Sequence, residues 1–258
     1  MSDGNRVIVI TGATGAIGGA LAQSYAAPAV TLFLQGRKVD LLASIAAQCT
    51  ARGAVVHTAA FDLRDREKLS AWLHALAADT APDLVIVNAG INIHSQADNA
   101  GESWQEVESL LEINIRAAFA TVNGVLPAMR KHKRGQGQIA LISSLAAYHG
   151  LPMTPSYSAS KAAIKAYGEG LRAWLADEGI RVNVVMPGYV ASPMCDEMPG
   201  PKPFLWSAEK AAAAIKRGLA ANHARISFPF PLNLGSWFLA VLPAGVSQRL
   251  LRLFGYAV

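Results

Sequence analysis

The chain has 258 residues, of which 52% are hydrophobic and 16% charged; this balance excludes a disordered polar chain and allows one substantial core. The net charge of +5 raises nucleic-acid binding, yet the one basic run, Arg130-Lys131-His132-Lys133-Arg134, closes a helical pattern. Cations there complement the helix dipole and face water, so no nucleic-acid partner is expected.

Met1 to Arg6 is short and polar and runs straight into Val7-Ile8-Val9-Ile10. It lacks the basic-then-apolar pattern of a secretory signal, and a cytoplasmic location is expected. Apolar runs follow at 7–10, 30–34, 55–61, 84–87, 138–142, 181–186 and 226–228, and segments of helical period at 16–27, 38–51, 66–79, 103–131, 155–178 and 208–221 lie between them. Strand alternating with helix predicts an α/β fold of βαβ units. Leu84-Val85-Ile86-Val87 is apolar at every position, as a strand covered on both faces must be. A single doubly wound parallel sheet of about seven strands, with helices on both faces, is therefore expected over residues 1–258. Two segments stand outside the alternation: 192–207, rich in proline and glycine, and the apolar tail 228–258. Cys49 and Cys195 show neither metal-ligand nor redox spacing, so two unpaired thiols and no metal site are expected.

Directly after the first strand comes Thr11-Gly12-Ala13-Thr14-Gly15-Ala16-Ile17-Gly18, and then a helix begins. Glycines at a strand-to-helix turn let the backbone approach a pyrophosphate, which sits at the positive helix end; this predicts a Rossmann-type dinucleotide site. NAD-binding versions place an acidic residue at the end of the second strand to hold the ribose hydroxyls. Gly36 and Arg37 stand there instead. A guanidinium can pair with the 2′-phosphate of NADP, so NADP(H) is the preferred cofactor and NAD(H) the alternative. Asp62, after the third strand, is a candidate partner of the adenine amino group or simply a helix cap.

Tyr157 and Lys161 lie four apart at the start of a helix and project from one face. A free tyrosine titrates near ~10, and a fixed ammonium beside it favours phenolate, which suits acid–base work. Ser143-Ser144 ends the strand Gln138-Ile139-Ala140-Leu141-Ile142, and active sites of open parallel sheets lie at the carboxyl ends of strands.

With Asn88-Ala89-Gly90, Asn114 and Pro187-Gly188, these stretches resemble the short-chain dehydrogenase/reductase family from Val7 to Met194. The resemblance implies an oxidoreductase that transfers a hydride between NADP(H) and a carbonyl or secondary alcohol. It implies Tyr157 as general acid in reduction and base in oxidation, and Lys161 lowering its pKa and holding the nicotinamide ribose. Ser144 would hydrogen-bond the carbonyl oxygen, and Asn114 would anchor a water joining Lys161 to solvent. The cofactor contacts carried over are Gly12, Thr14, Gly15, Ala16, Ile17, Gly18, Arg37, Asp62, Leu63, Asn88, Ala89, Gly90, Pro187, Gly188, Val190 and Ser192, together with Tyr157 and Lys161. Asn88 and Gly90 would line the adenosine ribose, and Ser192 would stand near the nicotinamide carboxamide. A homodimer or homotetramer built on the helices at 103–131 and 155–178 is also implied.

The glycine turn departs from the shorter members, because Ala16 replaces the usual middle glycine. Gly12, Gly15 and Gly18 fall instead at the three-residue intervals of longer members acting on nucleotide sugars. An epimerase or dehydratase that reduces its cofactor transiently therefore stays open, although only about 70 residues follow Pro187. A regulator that binds NADP(H) without turnover is the other alternative, and the intact set Asn114, Ser144, Tyr157 and Lys161 stands against it. His94 and His132 have no catalytic partner at a useful spacing; His149, close after Ser144, is a candidate pocket-lining residue.

No charged residue occurs between Ile226 and Gln248, but Pro229, Pro231 and Pro243 argue against one continuous helix. The tail is expected to form an apolar lid over the substrate cleft, an oligomer contact or a surface that touches membrane, with lid and packing favoured over membrane, although Val246 to Phe254 is amphipathic with Arg249 and Arg252 on its polar side. Pro199-Gly200-Pro201-Lys202-Pro203-Phe204-Leu205-Trp206 stands where the family has its mobile substrate loop, and its apolar residues suggest a bulky or apolar substrate.

Overall fold

The computed structural model describes residues 5–79, 81–93, 101–133, 136–198 and 200–255. The chain runs β1 (Arg6–Ile10), α1 (Ala16–Tyr25), β2 (Val30–Gly36), α2 (Val39–Thr50), β3 (Val55–Ala60), α3 (Arg66–Asp79), β4 (Leu84–Val87) and α4 (Trp104–Leu111). A π-helical stretch (Glu112–Ala117) joins α4 to α5 (Ala118–Lys133), which leads into β5 (Gln138–Ile142), a 3-10 turn (Leu145–Ala147) and α6 (Pro155–Trp174). β6 (Arg181–Pro187), the short α7 (Pro193–Asp196), α8 (Ala208–Ala220), β7 (Arg225–Phe228), α9 (Leu232–Val241) and α10 (Ala244–Leu253) complete it.

All seven strands form one parallel sheet in the order β3-β2-β1-β4-β5-β6-β7. The doubly wound α/β expectation holds, and the strand order reverses between β1 and β4, where such sheets open a crevice. Period-two alternation divides the central strands between two cores. Ile8, Ile10, Leu32, Leu34, Leu84 and Ile86 pack on one side with residues of α1, α2 and α8, among them Leu21, Ile45 and Ile215. Val9, Val85, Val87, Ile139 and Leu141 pack on the other with Leu69, Leu73, Val122, Met129 and Ile164 of α3, α5 and α6. Each such burial stabilises the fold by about 1.5–3 kcal/mol.

The helical period of the sequence predicts one helix over 103–131. The structure divides it, because six residues widen into the π-helical stretch before α-geometry resumes. Extra-wide turns of this kind concentrate at functional sites, and Asn114 lies inside this one. The helix expected at 155–178 ends at Trp174. The tail is two short helices parted by Leu242 and Pro243. Among the described residues, no helix is long and apolar enough to cross a membrane.

The basic run at the end of α5 is partly occupied: the Arg130 guanidinium pairs through two nitrogens, each at 2.6 Å, with Glu178 and lies over the Trp174 ring. Arg134 and the side chain of His132 lie outside the described residues, as does His94.

Candidate active site

Gly12 takes φ +66°, a conformation that favours glycine, and a Cβ there would stand 2.7 Å from Ala89 Cα. A Cβ on Gly18 would run into the Gly12 carbonyl and stand 2.7 Å from Asn88 Nδ2. The turn is thus drawn tightly onto the end of β4. Asn88 clamps it: Nδ2 donates to the carbonyls of Thr11 and Gly12 at 3.1 and 3.0 Å, and its backbone N–H donates to Thr11 Oγ1 at 3.1 Å. From the β2 side, Gln35 Oε1 accepts the Gly12 N–H at 3.1 Å while its Nε2 donates to the Phe61 carbonyl at 2.7 Å. Gly15 caps α1 without any side-chain hydrogen bond, and the first turn holds no acidic residue. The Gly15 N–H goes to the Gly12 carbonyl at 3.0 Å, so Gly12 and Gly15 shape the turn, and the first-turn N–H groups of Ala16, Ile17 and Gly18 make a cradle that fits a pyrophosphate.

Thr14 reaches across to the end of β2: a Cβ on Gly36 would come within 2.6 Å of its Cγ2. Beside it, Arg37 is half-exposed and holds Asp62 Oδ2 at 3.5 Å. Asp62 is not free. Arg64 takes both its oxygens, at 3.1 and 2.9 Å, and its Oδ1 also accepts the Arg64 N–H at 2.9 Å. The hydrogen bonds from Arg64 hold the Asp62 carboxyl down to about 2. Leu63, next in sequence, is buried, and its carbonyl accepts from Arg116 at 3.1 Å.

At the carboxyl ends of β4 and β5 the predicted chemical residues converge. Asn114 is buried; its Oδ1 accepts the Ile91 N–H at 2.8 Å and its Nδ2 donates to the Ile91 carbonyl at 2.9 Å and to Ser160 Oγ at 3.0 Å. A Cβ on Gly90 would lie 3.1 Å from Lys161 Nζ and 3.2 Å from Asn114 Oδ1, so glycine there lets the two meet. Lys161 is buried and donates to the Ile142 carbonyl at 3.1 Å; its Nζ stands 5.6 Å from the Tyr157 ring centre. Ser143 fixes the helix carrying both, donating to the Lys161 carbonyl at 2.7 Å. Ser144 is hydrogen-bonded to Tyr157 and accepts the Ala146 N–H at 3.1 Å, capping the 3-10 turn.

The electrostatics differ from the simple expectation. Burial pushes the Tyr157 phenol above its ordinary 10, and the Ser144 hydrogen bond offsets part of that rise. Burial also lowers the Lys161 ammonium to about 8. In the protein alone, desolvation outweighs any help the ammonium gives the phenolate, because both groups share one dry pocket.

On the far side, Gly188 faces Pro229 and Leu232: a Cβ there would lie 2.9 Å from Pro229 Cδ. Pro187 ends β6, and its carbonyl lies 3.5 Å from Ser144 Oγ. Val190 bridges to Trp206, pinning both ends of the 192–207 segment. The Ser192 hydroxyl is already engaged, donating to the Val190 carbonyl and accepting the Cys195 N–H, both at 3.1 Å, as the cap of α7. His149 Nε2 lies 2.8 Å from Ser247 Oγ of α10, so it anchors the tail.

Several positioning groups escaped the sequence reading. Glu102 accepts the Ser156 N–H through both oxygens at 3.2 Å and also binds the Ser156 hydroxyl, capping α6 one residue before Tyr157. Thr154 Oγ1 stands 2.8 Å from Asn92 Oδ1, and Asn92 Nδ2 is buried without a partner. Only long-range folding brings these together. Gln35 did leave a signal, as the one polar residue after Leu32-Phe33-Leu34.

A doubly wound sheet with a phosphate cradle at its switch point and a Ser-Tyr-Lys-Asn cluster beside it defines a nicotinamide-dependent oxidoreductase. Residues 6–201 match the short chain dehydrogenase family, and the chain belongs to it. It is 32% identical over 239 residues to an oxidoreductase of Myxococcus xanthus, covering 92% of this chain and 93% of that one. It is 29% identical to a gluconate 5-dehydrogenase of Gluconobacter oxydans over 76% of this chain and 75% of that one. A short-chain dehydrogenase from Sphingobium yanoikuyae in complex with NADPH superposes with a TM-score of 0.80 at 23% identity, covering 96% and 95% of the two chains. Solved neighbours hold NADPH or NAD. The chain is thus an oxidoreductase acting on alcohol or ketone groups.

Proposed function

We propose that the protein reduces a carbonyl compound, or oxidises the corresponding secondary alcohol, with NADP(H) as cofactor and Tyr157 as the proton donor or acceptor. The observation that carries this is the convergence of Ser144, Tyr157, Lys161 and Asn114 beside the glycine cradle. The cofactor supplies or accepts the hydride. Gly12, Thr14, Gly15, Ala16, Ile17 and Gly18 hold its phosphates, with Asn88, Ala89 and Gly90 behind the turn. Lys161 is placed for the nicotinamide ribose, and Pro187, Gly188, Val190 and Ser192 border the nicotinamide side.

In reduction, Ser144 Oγ and the Tyr157 hydroxyl both donate hydrogen bonds to the substrate oxygen and stabilise the charge that develops there. Tyr157 then gives up its proton to that oxygen. The Lys161 ammonium stabilises the phenolate left behind, and Asn114 orients the backbone of Ile91 around the route by which the proton is replaced. In oxidation the phenolate takes the proton back.

Arg37 supports NADP(H). It is a cation with a half-exposed side chain at the end of β2, opposite Thr14, where the family's carboxylate for NAD is lacking. Asp62 is bound by Arg64 and Arg37, which makes it a support for Arg37 and leaves an adenine contact secondary. Met194, Phe204 and Leu205 are exposed in the 192–207 segment, which supports an apolar substrate. The same reading extends to one catalytic domain over 1–258 that associates as a dimer or tetramer through α5 and α6.

The test is a screen of sugar, steroid and aliphatic ketones that follows NADPH oxidation by absorbance, run beside Tyr157→Phe. The variant should bind NADPH and lose turnover; turnover at the native rate refutes the role of Tyr157.

A further inference from the structure

Helix α9 is apolar on two sides. Leu232 packs on the cluster of Leu145, Val184 and Met186. Leu234, Trp237, Phe238 and Val241 follow the i, i+3, i+4, i+7 spacing of a single helix face, and these four are 54%, 45%, 52% and 57% exposed. The helix holds no fully buried residue. Phe230 before it and Leu253 and Phe254 after it are more exposed still. An aromatic stripe left in water this way marks a surface that something covers.

Charge says what covers it. From Lys210 to Val258 there is no aspartate or glutamate, while Lys210, Lys216, Arg217, Arg225, Arg249 and Arg252 all fall there. Of these, Arg225 pairs with Glu169, and Lys210 and Lys216 lie over the Trp206 and Tyr25 rings, which leaves Arg249 and Arg252 as the cations of α10. On α10, Ser247 and Leu251 face inward and are buried, whereas Val246, Arg249, Arg252 and Leu253 face out. Both helices rest on one short stretch, α9 through Leu145 and α10 through the contact of Ser247 with His149.

A second copy meeting this face would bring another Arg249 and Arg252 into the contact with no acidic residue of α9 or α10 to pair with them. An anionic lipid surface offers the opposite charge and accepts a tryptophan ring at its boundary. We propose that α9 and α10 form a peripheral docking face for an anionic bilayer. The Leu234-Trp237-Phe238-Val241 stripe enters the headgroup boundary, and Arg249 and Arg252 pair with lipid phosphates. The inner side of α9 packs against the 3-10 turn through Leu145; the outer side belongs to lipid.

The test is flotation of the full chain with phosphatidylcholine vesicles, with and without phosphatidylglycerol. Binding should require phosphatidylglycerol and weaken as salt is added. Arg249→Gln with Arg252→Gln should weaken it about thirty-fold, and Trp237→Ser with Phe238→Ser should abolish it. Tryptophan emission should shift to the blue on vesicle addition, and less so in Trp237→Phe. Circular dichroism and NADPH binding, unchanged in all variants, show that they fold. Three results overturn the proposal: no flotation with either vesicle, flotation indifferent to both double variants, or self-association lost in Trp237→Ser/Phe238→Ser without vesicle binding, which gives the face to a second copy.

Discussion

Lys161 Nζ reaches back across the sheet edge to donate to the Ile142 carbonyl at 3.1 Å, so the ammonium is held by β5 itself while Tyr157 rides on α6 one turn earlier. Burial holds this ammonium at about 8, below the ordinary 10.5. The unfolded chain therefore binds a proton between about pH 8 and 10.5 that the folded protein has lost. Stability must rise with pH across that window, and the full penalty is present below it. Lys161→Met should flatten the rise, on the order of 2 kcal/mol across the window in cofactor-free protein. Urea unfolding at pH 7, 8, 9 and 10 measures it, and parallel curves for the two proteins would contradict the desolvated ammonium. Above pH 10 the raised Tyr157 acts oppositely, since the folded state keeps its proton longer, and the gain should reverse.

Arg37 is the point on which cofactor preference turns. Its guanidinium has one carboxylate partner, Asp62 at 3.5 Å, and Arg64 holds that carboxylate more closely, at 2.9 Å. Little is lost when Arg37 turns to a phosphate instead. A charge-assisted contact of this kind contributes about 1.5–3 kcal/mol. Arg37→Asp should weaken NADPH binding by about ten- to a hundred-fold and strengthen NADH, as read by fluorescence titration of each cofactor. Unchanged NADPH affinity would remove Arg37 from the cofactor site.

The sheet was legible because its central strands are apolar on both faces and its helices keep their period; Ile8 and Ile10 facing one core and Val9 the other follow from alternation alone. The cofactor turn was legible because its three glycines stand between a strand and a helix, although the contacts that require Gly12 and Gly18, with Ala89 and Asn88, come from the end of β4. The break in the helix at Glu112–Ala117 was not, since no proline or glycine marks it, and it exists to let Asn114 reach Ile91 twenty-three residues earlier. The burial that raises the Tyr157 pKa in the cofactor-free protein was not legible for a related reason. Spacing places an ammonium beside a phenol, but it does not report how much water the fold removes from both.

Gly18 tests the cradle by sterics. A methyl group there meets the Gly12 carbonyl and Asn88 Nδ2 at once, and neither is a flexible side-chain end free to swing away, because Asn88 is bonded to two carbonyls. Gly18→Ala should destabilise the protein by on the order of 1–3 kcal/mol and displace the turn enough to lose cofactor binding. Gly15→Ala, whose added carbon would stand 3.3 Å from the Gly12 carbonyl, should be milder. Equal thermal stability and equal NADPH affinity for the two variants would mean that the turn is looser than its contacts indicate.

Ser247 joins the tail to the catalytic loop. Its Oγ lies 2.8 Å from His149 Nε2 and donates to the Ala244 carbonyl at 3.0 Å, and the side chain is fully buried. His149 follows Ser144 by five residues, so α10 is moored to the same stretch that presents the Ser144 hydroxyl. Ser247→Ala leaves the imidazole nitrogen short of a partner and should cost about 1 kcal/mol, lowering the melting temperature by roughly 2–4 °C. Because the mooring is local, amide exchange should accelerate in 244–253 and in 145–150 while β1 and β4 keep their protection. Exchange that accelerates uniformly would show the tail to be part of the global core, and exchange unchanged in both segments would show that the contact holds nothing.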